Sequence, residues 1–182
     1  MSITKQRQQT AYLALAEQFN YTSPMQSPRI VKVVVSSGVG KKRDKKQLEV
    51  VEDRLAKITG QKASARPARI SIASFKVREG DTVGLQVTLR GARMYDFMDK
   101  LIHIALPRTR DFRGLSPKAI DDMGNLTIGV REHTIFPETS DEDLKDVFGL
   151  AVTIVTTAKT KAEAEAFFRH LGMPLHSEVV AK

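Results

Sequence analysis

Apolar and polar positions alternate along three stretches of the chain, 29–37, 83–90 and 125–131, and this period of two predicts β-strands. In each stretch, alternate positions are mainly Val, Ile and Leu, and the positions between them carry mostly polar side chains. We expect the apolar set to face the core and the other set to lie on the opposite face. The apolar set comprises Val31, Val33, Val35, Leu85, Val87, Leu89, Leu126, Ile128 and Val130.

Apolar residues spaced three and four apart predict four helices. They cover 4–20, a segment from the basic run to about Thr59, 92–106, and a segment that follows Thr160. Thr160 and Glu163 predict a capping box at the last of these, and Gly60 and Gly172 are expected to end the second and fourth helices. The third helix has the strongest stripe, made of Met94, Phe97, Met98, Leu101, Ile102 and Ala105.

Two weaker strands, 61–69 and 150–157, complete the order α-β-α-β-β-α-β-β-α. Two strand–strand connections lack a crossover helix, so the sheet is expected to be largely antiparallel. The sequence therefore predicts an α+β fold: a single domain over 1–182 with a five-stranded, largely antiparallel sheet, helices packed on one face and a polar face opposite.

The polar face of the predicted sheet carries no Asp or Glu in the three clear strands. A solvated surface is the alternative interpretation, but the absence of carboxylates favours a surface that contacts an anion. Its polar members are Lys32, Ser36, Gln86, Thr88, Arg90, Thr127 and Arg131.

Charge points to the same kind of partner. The 182 residues carry a net charge of +8 with a pI of about 9.8. Residues 1–80 hold 16 Lys and Arg against 6 Asp and Glu, a net of +10, whereas residues 137–182 hold 5 against 8, a net of −3. This polarisation, with a basic N-terminal half and an acidic C-terminal third, favours a nucleic-acid partner. Many basic proteins bind no nucleic acid, and that alternative stays open on charge alone.

Composition excludes several other classes of protein. The chain has no cysteine, so disulfides and thiolate metal sites are ruled out. No apolar run approaches the length of a membrane span, and we expect no membrane partner. A cytoplasmic location is compatible with these features.

The run KKRDKK at 41–46 places five cations at the junction of a strand and a helix. The preceding glycines suggest a phosphate-binding loop, but Val35 stands where the Walker motif needs glycine and Lys42 stands where it needs Ser or Thr. The run predicts contact with RNA phosphates, and a solvated charge run is the alternative. Its cations are Lys41, Lys42, Arg43, Lys45 and Lys46.

The stretch PRTRDFRGLSPK at 107–118 sets Arg108, Arg110 and Arg113 around one aromatic residue. Proline and glycine punctuate it, so we expect a loop whose guanidiniums contact phosphates or are held in part by Asp111. The segment 71–80, SIASFKVREG, also mixes cations with one aromatic, Phe75. It predicts either contact with RNA backbone and bases or a hairpin whose Phe75 caps the core.

No pattern in the chain indicates catalysis. The four histidines lack metal-ligand spacing, and the acidic cluster SDED at 140–143 lacks the glycine and spaced ligands of a calcium loop. The G-x-S-x-G motif is absent. We expect no enzyme, no metal and no cofactor.

Seven blocks in order carry a resemblance to a known family: MQSPRIVKVVVSSGVG, SIASFKVREG, VTLRGARMYDFMDKLI, LPRTRDFRGLSPKAIDDMGN, TIGVREHTIFPE, VTIVTTAKT and LGMPL. They resemble the large ribosomal subunit protein five family in its bacterial form, which binds 5S rRNA. The resemblance covers residues from about 10 to 175, and RDFRG and IFPE are its most specific blocks.

The resemblance implies a structural constituent of the large subunit, located in the central protuberance of the cytoplasmic ribosome. Its implied partners are 5S rRNA, 23S rRNA, P-site tRNA, other 5S rRNA-binding large-subunit proteins, and small-subunit protein thirteen across an intersubunit bridge. A general structured-RNA-binding protein outside the ribosome is the alternative.

Carried onto this sequence, the resemblance and the residue patterns together give two sets of expected contacts. The RNA-binding set is Lys32, Ser36, Lys41, Lys42, Arg43, Lys45, Lys46, Gln61, Arg66, Gln86, Thr88, Arg90, Arg108, Arg110, Arg113 and Thr127. The loop expected to contact tRNA supplies Arg69, Ser71, Ser74, Phe75, Lys76 and Arg78.

Overall fold

The computed structural model describes residues 2–40, 45–139 and 147–176. Over these residues the nine predicted elements are present in the predicted order, with short 3-10 turns between them. The helices are α1 (Ile3–Phe19), α2 (Lys45–Thr59), α3 (Gly91–Lys100) and α4 (Lys161–Leu171). The strands are β1 (Ile30–Gly38), β2 (Ser64–Pro67), β3 (Thr82–Leu89), β4 (Leu126–Val130) and β5 (Leu150–Thr156).

The strands form one five-stranded, antiparallel sheet in the order β2-β3-β1-β5-β4. The α+β class and the sheet predicted from the sequence are confirmed. No helix in the described ranges combines the length and the apolar character needed to cross a membrane.

The predicted alternation holds along β3 and β4, where every expected core residue is buried. In β1 it holds for Val33 and Val35, but the prediction for Val31 was wrong: its side chain is 39% exposed, and Ile30 is buried instead. The Ile30 N–H donates to the Gln8 side chain at 3.1 Å. The alternation of buried residues therefore shifts by one position just inside the strand, after the residue that is bonded to α1.

The third predicted helix changes its winding at Lys100. Residues Leu101–Ala105 form a π-helical turn, closed by a hydrogen bond from the Leu106 N–H to the Leu101 carbonyl at 3.0 Å. All six residues of the predicted stripe are nevertheless buried. The π-helical segment is a single turn of five residues, so the apolar stripe across it still fits the pattern of one continuous helix and did not reveal it.

The chain divides into two compact units. The first comprises 1–33, 90–128 and 153–182, and in its described part α1 packs on α3 and α4. Its largest fully buried side chains include Met98, Leu101, Phe167, Phe168 and Leu171. The start of α1 is held by Asp99 of α3, which accepts hydrogen bonds from the Ile3 and Thr4 N–H groups at 2.9 and 2.8 Å and from the Thr4 hydroxyl at 2.5 Å.

Glu163 joins the start of α4 to the segment that follows α1. Its N–H donates to Thr160 Oγ1 at 3.3 Å, as the predicted capping box requires, but its carboxylate accepts from the Lys159 N–H at 2.7 Å instead of from Thr160. The other carboxylate oxygen accepts the hydroxyl of Tyr21. Burial, together with this carboxylate, raises the pKa of Tyr21 above its ordinary range.

The second unit comprises 34–89 and 129–152. Here α2 packs on β3 and on the 3-10 turn Pro137–Thr139. Three residues of the predicted α2 stripe, Val51, Leu55 and Ile58, are buried, and Gly60 ends the helix with a φ of +68°. Strand β2 is shorter than the predicted 61–69, which leaves residues 68–81 to form a hairpin between β2 and β3.

Candidate nucleic-acid interface

In the second unit, the structure brings together two pairs of residues that the sequence assigned to RNA binding. Arg66 of β2 donates from Nε to Oε1 of Gln86 in β3 at 2.6 Å. Gln61 donates from Nε2 to the backbone carbonyl of Thr88 at 3.4 Å. Gln86 and Thr88 are half-buried, whereas Arg66 is exposed. The pairs place a guanidinium, an amide and a hydroxyl side by side on β2 and β3.

Ser36 lies on the half-buried side of β1, between two buried residues. Its neighbour Ser37 points the other way and donates to the Gly149 carbonyl at 2.8 Å, so only Ser36 is available to a ligand. Lys46, at the start of α2, is exposed. The predicted contacts Lys41, Lys42 and Arg43 lie outside the described residues, and so does the side chain of Lys45.

In the first unit, Thr127 of β4 is exposed, and its hydroxyl lies 3.2 Å from the hydroxyl of Thr153 in β5. Thr153 was not among the residues predicted from the sequence. The alternation in LAVTIVT was the available signal, because it separates Thr153 from the buried Val152 and Ile154. Lys32 is half-buried, and Arg90 is exposed at the residue that precedes α3.

The arginine loop, residues 107–116, exposes Arg108, Arg110 and Arg113. Within the described part of the chain none of the three guanidiniums makes a hydrogen bond or an ion pair, and Asp111 pairs with none of them. Asp111 instead adopts a left-handed backbone conformation, with a φ of +53°. The loop thus exposes three cations that have no internal anionic partner among the described residues.

Backbone hydrogen bonds hold both ends of the arginine loop. The Thr109 N–H donates to the Leu106 carbonyl at 3.0 Å, which continues the turn beyond the π-helix. At the far end, Leu115 donates to the Pro174 carbonyl at 2.7 Å and accepts from the His176 N–H at 2.8 Å. The loop is therefore tied to the segment that follows α4, and its cations project from a fixed backbone.

The hairpin of residues 68–81, which we call the arm, carries all six side chains predicted to contact tRNA. Paired backbone hydrogen bonds join Ala68 with Asp81 and Gly80 at its base, and Ile72 with Val77 near its tip. Ser71 accepts the Glu79 N–H at 2.9 Å, so its hydroxyl oxygen supports the arm in addition to any contact with a ligand.

The tip of the arm is a 3-10 turn, Ala73–Phe75, which ends at Lys76 in a left-handed conformation. Phe75 is 71% exposed and does not cap the core, which removes one of the two alternatives for this residue. Arg69, Ser74, Lys76 and Arg78 are exposed as well. Ile70 and Ile72, at 72% and 44% exposure, are large apolar side chains at the surface that were not predicted from the sequence.

In the ranges described by the structure, no three His, Asp or Glu side chains converge closely enough to hold a metal ion. The acidic cluster at 140–143 lies outside those ranges.

Comparison with known proteins gives two family matches that follow one another along the chain. Residues 23–78 match the model of ribosomal protein L5, and residues 82–175 match the model of the C-terminus of the same ribosomal family. Three curated relatives are each called large ribosomal subunit protein uL5. That of Rubrobacter xylanophilus is 52% identical over 162 residues, 88% of this chain and 90% of the relative.

The relative from Anaeromyxobacter sp. (strain K) is 50% identical over 161 residues, 88% of this chain and 89% of its own length. That from Leuconostoc citreum is 50% identical over 162 residues, 88% of this chain and 90% of its own length. The similarity thus covers most of this chain and most of each relative.

Proposed function

Because this chain belongs to the ribosomal protein L5 family and is a structural constituent of the large ribosomal subunit, we propose that it binds 5S rRNA and helps to attach it to 23S rRNA in the central protuberance. It also contacts the P-site tRNA through the arm and small-subunit protein thirteen through an intersubunit bridge. Its role is structural, on the cytoplasmic ribosome, and it sits beside other 5S rRNA-binding proteins.

The arginine loop is the observation that carries the proposal. Arg108, Arg110 and Arg113 are exposed, have no internal partner among the described residues, and stand on a backbone fixed at both ends. A guanidinium binds a phosphate through two parallel N–H···O bonds. Three such groups on a loop whose backbone is already ordered suit an RNA backbone, because the loop backbone need not be ordered on binding.

The sheet surface supports a contact with the 5S rRNA itself. Structured RNA presents phosphates and 2′-hydroxyls in its wide minor groove, and these groups pair with guanidiniums, amides and hydroxyls. Arg66 and Gln86 supply the first two, and Thr88 and Ser36 supply hydroxyls. In the first unit, Lys32, Arg90 and Thr127 supply further groups of the same kind.

The arm and the C-terminal third support the remaining contacts. The arm carries Arg69, Lys76 and Arg78 at its surface, which suits a second RNA such as tRNA. Residues 137–182 have a net charge of −3, which suits a basic protein neighbour such as one across the subunit interface.

A salt-titrated binding comparison tests the proposal. The purified chain is titrated with 5S rRNA and with an unrelated structured RNA of equal length. We expect a preference for 5S rRNA of about 100-fold near 150 mM salt, equivalent to about 2.7 kcal/mol. Equal and steeply salt-dependent binding to both RNAs would contradict the 5S-specific role and would indicate a general structured-RNA-binding protein.

A further inference from the structure

The arm forms one wall of an open groove of about 630 Å³ in the second unit. Its lining is mainly apolar, and the residues that form it include Ala68, Ile70, Ile72, Phe75, Val77 and Val83. Five of these belong to the arm, and Val83 belongs to β3. A short hairpin thus builds a concave apolar surface that faces solvent.

The exposure of this surface is not explained by folding. Ile70, Ile72 and Phe75 expose 72%, 44% and 71% of their surface, within a stretch of six residues. Scattered apolar residues are normal on a protein surface, but a cluster beside a concavity is typical of a binding site. The cluster gains favourable free energy only when a ligand covers it.

The groove is formed before any ligand arrives. Two backbone hydrogen bonds between Ile72 and Val77, at 2.9 and 3.2 Å, hold the tip together. Two further bonds, from Ala68 to Asp81 and from Gly80 to Ala68, hold the base at 2.8 and 3.0 Å. A ligand therefore meets a surface whose backbone is already ordered, which lowers the entropic cost of binding.

The charges around the groove indicate what covers it. Residues 64–81 carry four cations, Arg66, Arg69, Lys76 and Arg78, against two carboxylates, Glu79 and Asp81, so the charge around the groove is positive. Arg69 and Lys76 themselves line the groove. The ligand therefore combines a flat or compact apolar part with a negatively charged chain on either side of it. An unstacked nucleotide has this combination, because its base has an apolar π-face and its backbone is anionic.

We propose that the groove of the arm receives one unstacked nucleobase, held against Phe75, Ile70 and Ile72, while the cations of the arm contact the flanking phosphates. This inference rests on the proposed function, in that it gives the arm a looped RNA as its partner. The inference goes further than the proposed function, because it states that the arm binds an extruded base more tightly than a paired base. A contact with phosphates alone cannot distinguish the two.

The test uses the full chain and two RNA hairpins of equal length and charge. One hairpin carries a fluorescent adenine analogue as a single-nucleotide bulge, and the other carries the same analogue in a base pair. We expect the bulged hairpin to bind more tightly by about 5- to 150-fold, the range of base–aromatic stacking, and to change its fluorescence on binding.

Substitutions at Phe75 and at Arg69 separate stacking from charge. Phe75→Ala is expected to remove most of the preference for the bulge, and Phe75→Leu is expected to keep only part of it. Arg69→Ala is the matched control on the same hairpin: it should weaken binding to both hairpins equally and preserve their ratio. Circular dichroism of each variant checks that the fold is retained, which the exposure of both side chains favours.

Equal affinity for the two hairpins, or a preference that survives Phe75→Ala, would overturn the proposal. A competition experiment gives a second test, in which an apolar dye is bound in the groove. If an acidic peptide with one phenylalanine displaces the dye and the bulged hairpin does not, the proposal is also overturned, and the groove binds a protein partner. Binding of 5S rRNA by the same preparations distinguishes the two proposals: retained 5S preference with no bulge preference rejects only the base-binding groove.

Discussion

Arg66 and Gln86 hold each other on the surface of the sheet, through a hydrogen bond of 2.6 Å from the guanidinium Nε to the amide oxygen. This bond uses one of the five guanidinium N–H groups and leaves the two terminal nitrogens for a ligand. Gln86 therefore positions Arg66 for the two parallel bonds that a phosphate accepts.

We expect Gln86→Leu to weaken 5S rRNA binding by about 2- to 12-fold, the equivalent of one hydrogen bond. The effect should depend on Arg66, because the amide acts by orienting that side chain. A double-mutant cycle with Arg66→Ala measures this dependence. Strictly additive effects of the two substitutions would show that Gln86 does not position the arginine.

Thr88→Val should also weaken 5S rRNA binding by about 2- to 12-fold, since it removes one hydroxyl from the polar side of β3. The backbone contact from Gln61 to the Thr88 carbonyl is unaffected by the change. Thr134→Val, at a half-buried threonine outside the sheet, is the matched control and should bind normally. Unchanged affinity in Thr88→Val would show that this face of the sheet does not contact the RNA.

The arginine loop should set the salt dependence of binding. Each of Arg108→Gln, Arg110→Gln and Arg113→Gln that removes a phosphate contact should reduce the slope of log K against log salt by about 0.7–0.9. Lys57→Gln is the control, because this cation lies on α2, outside the loop, with its Nζ 2.9 Å from Asp53 Oδ2, and it should keep the slope. If all three loop variants keep the original slope, the loop does not contact phosphates.

Asp99 should make part of the stability depend on pH. Burial raises its pKa, but the hydrogen bonds from Thr4, Ser2 and Ile3 together outweigh burial, so the pKa lies below its ordinary value of about 3.9. The folded state therefore binds fewer protons than the unfolded state. The stabilisation is complete above the ordinary value and is lost as the pH falls through the folded pKa.

We accordingly expect Asp99→Asn to lower the free energy of unfolding by about 1–2 kcal/mol at neutral pH. The difference from the unsubstituted chain should narrow as the pH falls below about 4. Urea denaturation at a series of pH values measures both. Asp122→Asn, at an exposed carboxylate, is the control. A difference that stays constant down to the lowest pH would contradict the role given to the Asp99 charge.

Gly124→Ala should destabilise the fold by about 2–4 kcal/mol. Gly124 has a φ of +78°, and an added Cβ would lie 2.8 Å from the Ala158 Cβ and 3.0 Å from its carbonyl oxygen. Gly38→Ala is the control, since nothing lies within 4 Å of its added Cβ, and it should change stability by less than about 0.5 kcal/mol. Equal unfolding midpoints for the two variants would show that the turn at Gly124 adapts.

The spacing of apolar residues was sufficient to predict the helices and strands, because every second residue of a strand is buried and one side of a helix is buried. It was not sufficient at Val31, whose neighbour Ile30 is buried in its place and donates its N–H to the side chain of Gln8, 22 positions earlier in the chain. Nor did it indicate the π-helical turn at Leu101–Ala105, because one turn is too short to interrupt the apolar stripe of the helix.

The candidate site was likewise predictable from the sequence only in part. Exposed cations were predictable from composition and turn residues, and the three arginines of the loop are exposed as expected. The pairing of Arg66 with Gln86 was not, because it depends on the register of β2 against β3, which shifts between Arg66 and Pro67. The groove of the arm was also missed, since it requires Ile70, Ile72 and Val83 to meet in space.

The bonds that tie Leu115 to Pro174 and His176 make the arginine loop a poor candidate for transplantation. Its shape is specified by two stretches nearly sixty positions apart along the chain. A chimaera that receives residues 107–116 alone would acquire the arginines without the backbone hydrogen bonds to residues 174 and 176 that hold the loop. An exchange between relatives should move both stretches together, and a tag or truncation that disturbs residues 174–176 acts on the loop from a distance.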